Sequence, residues 1–513
     1  MSTAARLVSG SVASWAQIGV TIAAQVVLVP IYLSHWNVKT YGVWLAVQGI
    51  LSALSMLDMG YQSYLGFEFL RLGKKNLLLL SKSLWSAMLV GILISLVQIT
   101  IMVIFVFTDA LPFLLGEAGT QDYELIHAAG VSLILQGITW LIIMTIPGLM
   151  VKALAAFGYF PRTAWWGFAY ALTIAFAPLI AVIYGGDLLM ASISLFIGAM
   201  LCGLGLYIDL IRLLKKEKIR FLKPSFSLGF SNFKLSLPLL GKSLLENVRQ
   251  QGVRLVLAPM AGATGLAAFS TMRTGANVAL QGLNTIINPL APDLMRFLHE
   301  RDQARSEAAF ATIWVVVVAL MAPGVVILQT LIEPFYVFWT QGKITFDPLL
   351  FALLSLGVLV YAVVQPAVAV VVGNNLTKTQ LALAAVAAIF VFTLLALLVP
   401  VVGILGAGIA LLMAEIAAAV GYKVYAEKWL VENHLVWPRR AFHIAVTSVL
   451  IASGSLALLV WRPEFTWPIL VVSMLLFSWN LWRYWQVLPL VAIESAKNLA
   501  SRIPGLRLWL GRL

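Results

Sequence analysis

Charge is what this sequence has least of. Charged residues are 11% of the 513 and hydrophobic residues 61%, whereas a soluble chain carries about 25% charged. That balance argues against an ordinary soluble domain and favours a chain whose solvent is mostly lipid. Cysteine is almost absent: Cys202 stands alone in an apolar segment, which excludes a disulfide framework, a thiolate metal site and a redox pair and leaves a helix-packing role. His35, His127, His299, His434 and His443 are scattered without ligand spacing, so neither a metal site nor histidine catalysis is supported. There is no Walker loop and hence no motif for ATP hydrolysis. No cofactor, metal or enzymatic activity is expected.

What the chain has in quantity is apolar runs of helical length. They are about 20 residues long with few strand-like alternations, which suits helices crossing a hydrocarbon core of about 30 Å and not an outer-membrane barrel. Helices are predicted over 11–33, 41–63, 84–107, 126–151, 164–184, 190–212, 237–259, 264–291, 309–335, 349–373, 380–399, 403–424, 442–461 and 467–487. The fold class is all-α integral membrane with about 14 transmembrane helices. The first run is longer than a signal-peptide core and has no convincing cleavage site, so it reads as a retained helix.

The net charge of +13 would point to nucleic acid in a soluble chain, but here it follows the membrane. Every second connection is basic, above all the one holding Arg212, Lys215, Lys216, Lys218, Arg220, Lys223 and Lys234, while the opposite loops hold only Lys39, Lys343 and Arg462. Under the positive-inside rule both termini are cytoplasmic. Asn375-Leu376-Thr377, a glycosylation sequon in form, falls in a predicted cytoplasmic loop and reads as chance. The long basic connection divides the chain into a six-helix lobe (1–213), a linker (214–236), a second six-helix lobe (237–430), two additional helices (431–487) and a basic amphipathic tail (488–513) on the inner leaflet. Val26–Pro30 and Leu255–Pro259, at equivalent places in the two lobes, carry a short internal match of the kind secondary transporters show.

Four basic residues fall inside predicted spans: Lys242, Arg249, Arg254 and Arg273. Ionisable groups at that depth need a partner or a watery cavity. On the seventh span Lys242, Glu246, Arg249 and Arg254 share a sector of about 140°. On the eighth, Ser270, Arg273, Asn277, Gln281, Asn284 and Asn288 fall 3, 4, 4, 3 and 4 residues apart, a polar stripe about 27 Å long. Gln17 and Gln25 on the first span and Gln48 on the second add neutral polar groups. Spans one, two, seven and eight are equivalent first pairs of the two lobes, and a cavity between them would be cationic and suited to an anionic head group. Asp58, Glu246 and Glu415 are candidates for ion coupling. Polar residues also serve as interhelical glue, Lys242 can snorkel to the surface, and Glu246 can simply pair with Lys242 or Arg249.

Pro30-Ile31-Tyr32-Leu33, Tyr41-Gly42-Val43-Trp44 and Leu57-Asp58-Met59-Gly60-Tyr61 together resemble the opening of bacterial polysaccharide-unit flippases of the multidrug/oligosaccharidyl-lipid/polysaccharide exporter superfamily. In that family a proline ends the first helix, Tyr-Gly starts the second and Leu-Asp-x-Gly closes it. The resemblance implies a multi-pass protein of the cell inner membrane that moves an undecaprenyl-diphosphate-linked oligosaccharide outward by alternating access. Its partners would be that substrate, membrane lipids and a polysaccharide polymerase, with no nucleic acid. Lipid II flippases of the superfamily carry arginine-rich first helices, whereas here only Arg6 lies at the edge of the first span. The alternatives are a multidrug or metabolite antiporter, which should expose acidic groups in its cavity; a membrane glycosyltransferase, which needs a larger outer loop than the longest here, about 18 residues; and a non-transporting scaffold.

Overall fold

A backbone that enters hydrocarbon must satisfy its own polar groups, and these apolar runs do so as helices. The structure, a computed structural model, describes residues 16, 19–20, 23–24, 27–117, 122–374 and 376–489. Among them there is no β-strand. α1 is described over 27–35. It is followed by α2 (Val38–Leu72), α3 (Leu77–Val106), the short α4 (Ala110–Leu115), α5 (Tyr123–Thr139), α6 (Ile146–Ala155), α7 (Phe160–Ile183) and α8 (Leu188–Lys216). Then come α9 (Phe226–His299), α10 (Gln303–Val316), α11 (Ala322–Trp339), α12 (Pro348–Gly373), α13 (Thr377–Val402), α14 (Ile404–Glu432), α15 (Arg439–Trp461) and α16 (Thr466–Val487). π-helical segments, Trp140–Thr145 and Val317–Met321, join α5 to α6 and α10 to α11. Eleven helical spans among the described residues are long and apolar enough to cross a membrane, so the chain is an all-α, multi-pass membrane protein.

Local chemistry sets the helix starts. Asn37, Asn76, Asp122, Asp187 and Asp347 each place a side-chain oxygen on an N–H of the first turn of α2, α3, α5, α8 and α12, satisfying donors that a helix leaves open. Lys39 ties two neighbouring segments together, reaching Glu117 at 3.0 Å and Asp122 at 3.1 Å. The hydrogen bond from its ammonium holds the Asp122 carboxyl below the usual carboxylate range.

The chain divides into two compact units, Met1–Thr271 with Phe338–Thr345, and Met272–Val337 with Phe346–Leu513. The first contains a core in which Tyr61, Leu65, Phe69, Leu84, Leu149 and Leu210 are buried. In the second, Phe310, Trp314 and Trp437 pack together, and Tyr484 donates to Ala311 O at 2.8 Å. In the first unit the N-terminal half of α9 lies against α2 at two glycines. A β-carbon at Gly42 would stand 2.0 Å from the carbonyl oxygen of Ala263, and one at Gly60 2.8 Å from Cα of Leu240. Between the predicted seventh and eighth spans the helix is interrupted at a single residue, Gly262, with φ 74° and ψ 168°, which a side chain would resist.

Near the end of α8, Asp209 accepts from Nε of Arg162 at 2.8 Å, from its Nη2, and from Nε1 of Trp166 at 2.8 Å. Asp209→Ala removes the acceptor from all three donors, and the detergent-purified protein is expected to lose about 1–3 kcal/mol, read as a lower melting temperature.

Candidate functional site

Of the two candidate acidic residues whose side chains are described, Asp58 and Glu415, Asp58 is the more enclosed. It is fully buried on α2, and its partners come from one turn further along α2 and from the π-helical segment more than 80 residues away. Oδ2 accepts from Nε2 of Gln62 at 2.7 Å, Oγ1 of Thr145 at 2.8 Å and Nε1 of Trp140 at 3.2 Å. Ser95 on α3 in turn bonds Thr145, Oγ to Oγ1, at 2.8 Å. Trp140 and Thr145 stand at the two ends of the first π-helical segment. In an α-helix residues five apart diverge by about 140°. The wider π turn, closing i to i+5, brings both to one side, and Pro147 just beyond has no N–H to restore the ordinary ladder. Oδ1 of Asp58 is buried with no hydrogen-bond partner among the described residues. One carboxylate oxygen thus takes three donors and the other takes none among the described residues.

The same stretch of α5 borders a cavity of about 260 Å³ lined by Tyr32, Trp44, Trp140, Tyr170, Gln48 and Gln136, among others. Gln48 donates from Nε2 to Oε1 of Gln136 at 2.8 Å, while the Nε2 of Gln136 is buried without a partner among the described residues. The cavity therefore combines aromatic faces with an unspent amide donor, and Trp140 connects it to Asp58. Buried polar groups normally find partners, and here two such atoms, Oδ1 of Asp58 and Nε2 of Gln136, are without one among the described residues.

The four basic residues that the sequence places inside predicted spans are distributed as follows. Arg254 lies on α9 before the break and is half-buried. Its Nε is buried and unpartnered among the described residues. Arg273 and Asn277 lie on α9 after the break, both half-buried, within the second unit. The side chains of Lys242, Glu246, Arg249, Gln281 and Asn284 lie outside the described residues, as do Gln17 and Gln25. Glu415 is half-buried on α14, in the second unit, away from the Asp58 cluster in sequence and in compact unit.

Of the residues singled out from sequence, Asp58 and Gln48 are brought to one place, through Trp140 and Gln136. Gln62, Gln136, Trp140, Thr145 and Tyr170 were not singled out. Gln136, Trp140 and Thr145 fall 4 and 5 residues apart, and that spacing shares one face only where the helix widens, which periodicity at 3.6 residues does not register.

Comparison with protein-family models and with curated proteins gives no match. Solved structures do match. A structure described as the lipid II flippase MurJ in an inward closed conformation has a TM-score of 0.66 at 13% identity, covering 93% of this chain and 98% of that one. An inward-facing multidrug resistance MATE family transporter of the MOP superfamily has a TM-score of 0.59 at 12% identity, with 82% and 95% covered. A MOP superfamily transporter from Pyrococcus furiosus, reported with a binding pocket of reverse polarity, has a TM-score of 0.55 at 13% identity, with 84% and 96% covered. At these identities the likeness concerns architecture, and the chain has the fold of the MOP-superfamily transporters.

Proposed function

We propose that this protein is a flippase that carries an undecaprenyl-diphosphate-linked oligosaccharide, a polysaccharide repeat unit, from the cytoplasmic to the outer face of the bacterial inner membrane by alternating access. The observation that carries the reading is the Nε of Arg254, buried and unspent among the described residues, on a segment whose hydropathy predicts the seventh span. A guanidinium held there without a hydrogen-bond partner for that group is costly unless an anion visits it, and its planar fork matches a phosphate. Lys242, Arg249 and Arg273 are assigned to the same cationic path, and Gln48, Asn277, Gln281, Asn284, Gln17 and Gln25 to its polar lining. The moving bodies are the lobes 1–213 and 237–430, joined by the linker 214–236 and followed by the helices of 431–487. An inside-negative potential of 100 mV favours outward movement of each negative charge by about 2.3 kcal/mol. Asp58 is assigned as the proton-binding coupling residue, because it alone of Asp58, Glu246 and Glu415 has a described carboxylate oxygen that is buried and unpartnered.

A second reading, exchange of organic cations, is favoured by one observation, the aromatic walls of the cavity beside Gln136, since such walls attract cations. Surface polysaccharide in a flippase-deficient strain separates the two. Wild type is expected to restore it, and Arg254→Ala and Arg273→Ala, at matched membrane levels, to lower it at least about tenfold, the loss of roughly one charge-assisted contact to phosphate. Full restoration by both variants would leave the cationic path without support.

A further inference from the structure

The second unit has an apolar groove that the transport reading does not use. α14 and α15 each pack on α12 and leave between them a groove of about 560 Å³. Val363 and Val364 of α12 form its buried floor, while Val420 of α14 and Leu450 of α15 stand exposed at its rims. Its lining includes a single ionisable residue, Lys423, at the end where Phe442 closes the α15 side. One turn beyond, Glu427 accepts from Nζ of Lys423 and from Nη2 and Nε of Arg439 at 2.8 and 3.1 Å. One carboxylate between two cations leaves that end positive, and Arg440, exposed on the next position, adds to it.

Length and charge together select an occupant. From Lys423 to Leu412 the lining follows α14 for about 16 Å at 1.5 Å per residue, close to half of a hydrocarbon core of about 30 Å. The groove therefore has the length of one leaflet, and with its cations at head-group level its far end would reach the midplane. A helix docking from outside would follow the whole core and would gain nothing from cations at one end. A lipid tail under an anionic head group uses both features. We propose that the groove binds an acyl chain of an anionic phospholipid from the leaflet at its basic end, with the phosphate against Arg439 and Arg440.

The test is independent of whether the protein transports anything. The full-length protein is reconstituted in phosphatidylcholine vesicles containing a small fraction of phosphatidylglycerol with a photoactivatable group midway along one acyl chain, irradiated, and mapped by mass spectrometry. Cross-links are expected on the segments 412–424 and 446–453. Arg440→Gln, which removes no ion pair among the described residues, is expected to lower labelling about fivefold, equivalent to about 1 kcal/mol for one basic residue near an anionic surface. Val420→Trp, on an exposed rim, fills the groove and is expected to abolish labelling without changing the melting temperature; Ile416→Trp serves if Val420→Trp does not fold. Equal labelling by the phosphatidylcholine analogue of the same chain, or labelling that survives whichever tryptophan variant folds, overturns the proposal. So does displacement by equimolar undecaprenyl phosphate, which assigns the groove to the isoprenoid tail.

Discussion

Asp58→Ala is expected to lower stability by about 2–4 kcal/mol, because it leaves Nε1 of Trp140 without its acceptor, Nε2 of Gln62 with only Met144 O at 3.2 Å and Thr145 with only Ser95. The expected signs are a reduced membrane level and a lower melting temperature in detergent. Asp58→Asn separates stability from function. Its carbonyl oxygen can take the place of Oδ2 and accept the same donors, while its NH₂ occupies the site of Oδ1, as the hydroxyl of a neutral carboxyl would. The Asn variant should therefore fold with a melting temperature close to wild type. It cannot bind and release a proton, so polysaccharide export supported by it should fall about tenfold or more and lose its dependence on a proton gradient. A stable Asn variant that exports at the wild-type rate would reduce Asp58 to a structural tie between α2 and the π-helical segment.

Gly42→Ala is the second large effect. The new methyl group would stand 2.0 Å from the carbonyl oxygen of Ala263, far inside van der Waals contact, and the obstructing atom is backbone, which cannot rotate away. α2 and the break in α9 would have to separate, at a cost of about 3 kcal/mol or more. Gly60→Ala meets Cα of Leu240 at 2.8 Å and is expected to behave similarly, whereas Gly454→Ala, with nothing within 4 Å, should be neutral. The check is a melting curve for each purified variant, and a Gly42→Ala protein as stable as Gly454→Ala would contradict the packing described.

These positions show how far sequence reading reaches. Eleven of the fourteen predicted spans coincide with described helices long and apolar enough to cross a membrane, because such helices are long and apolar; the range 349–373 nearly coincides with α12, Pro348–Gly373. Hydropathy missed the ends of α2, which continues beyond 63 to Leu72, because that last part carries Glu68 and Arg71, paired with each other at 2.6 Å, and a hydropathy window stops at charge. The gap predicted at 260–263 is one residue, Gly262, within a longer helix. The glycines of Tyr41-Gly42 and Leu57-Asp58-Met59-Gly60 were legible as a motif, but their reason was not, since Ala263 and Leu240 lie more than 150 residues away. Asp58 was legible as an ionisable residue at membrane depth. Its cage was not, because Thr145 reaches it across 87 residues by way of a π-helical turn that has no periodic signature.

The most direct measurement is translocation in proteoliposomes: a labelled undecaprenyl-diphosphate oligosaccharide is placed in the inner leaflet, and its arrival outside is read by cleavage with an added glycosidase. Wild type should move it many times faster than protein-free vesicles, and Arg254→Gln at least about tenfold more slowly than wild type. Wild-type protein that moves the lipid-linked sugar no faster than empty vesicles, yet exchanges organic cations for protons, would contradict the account and establish the antiporter in its place.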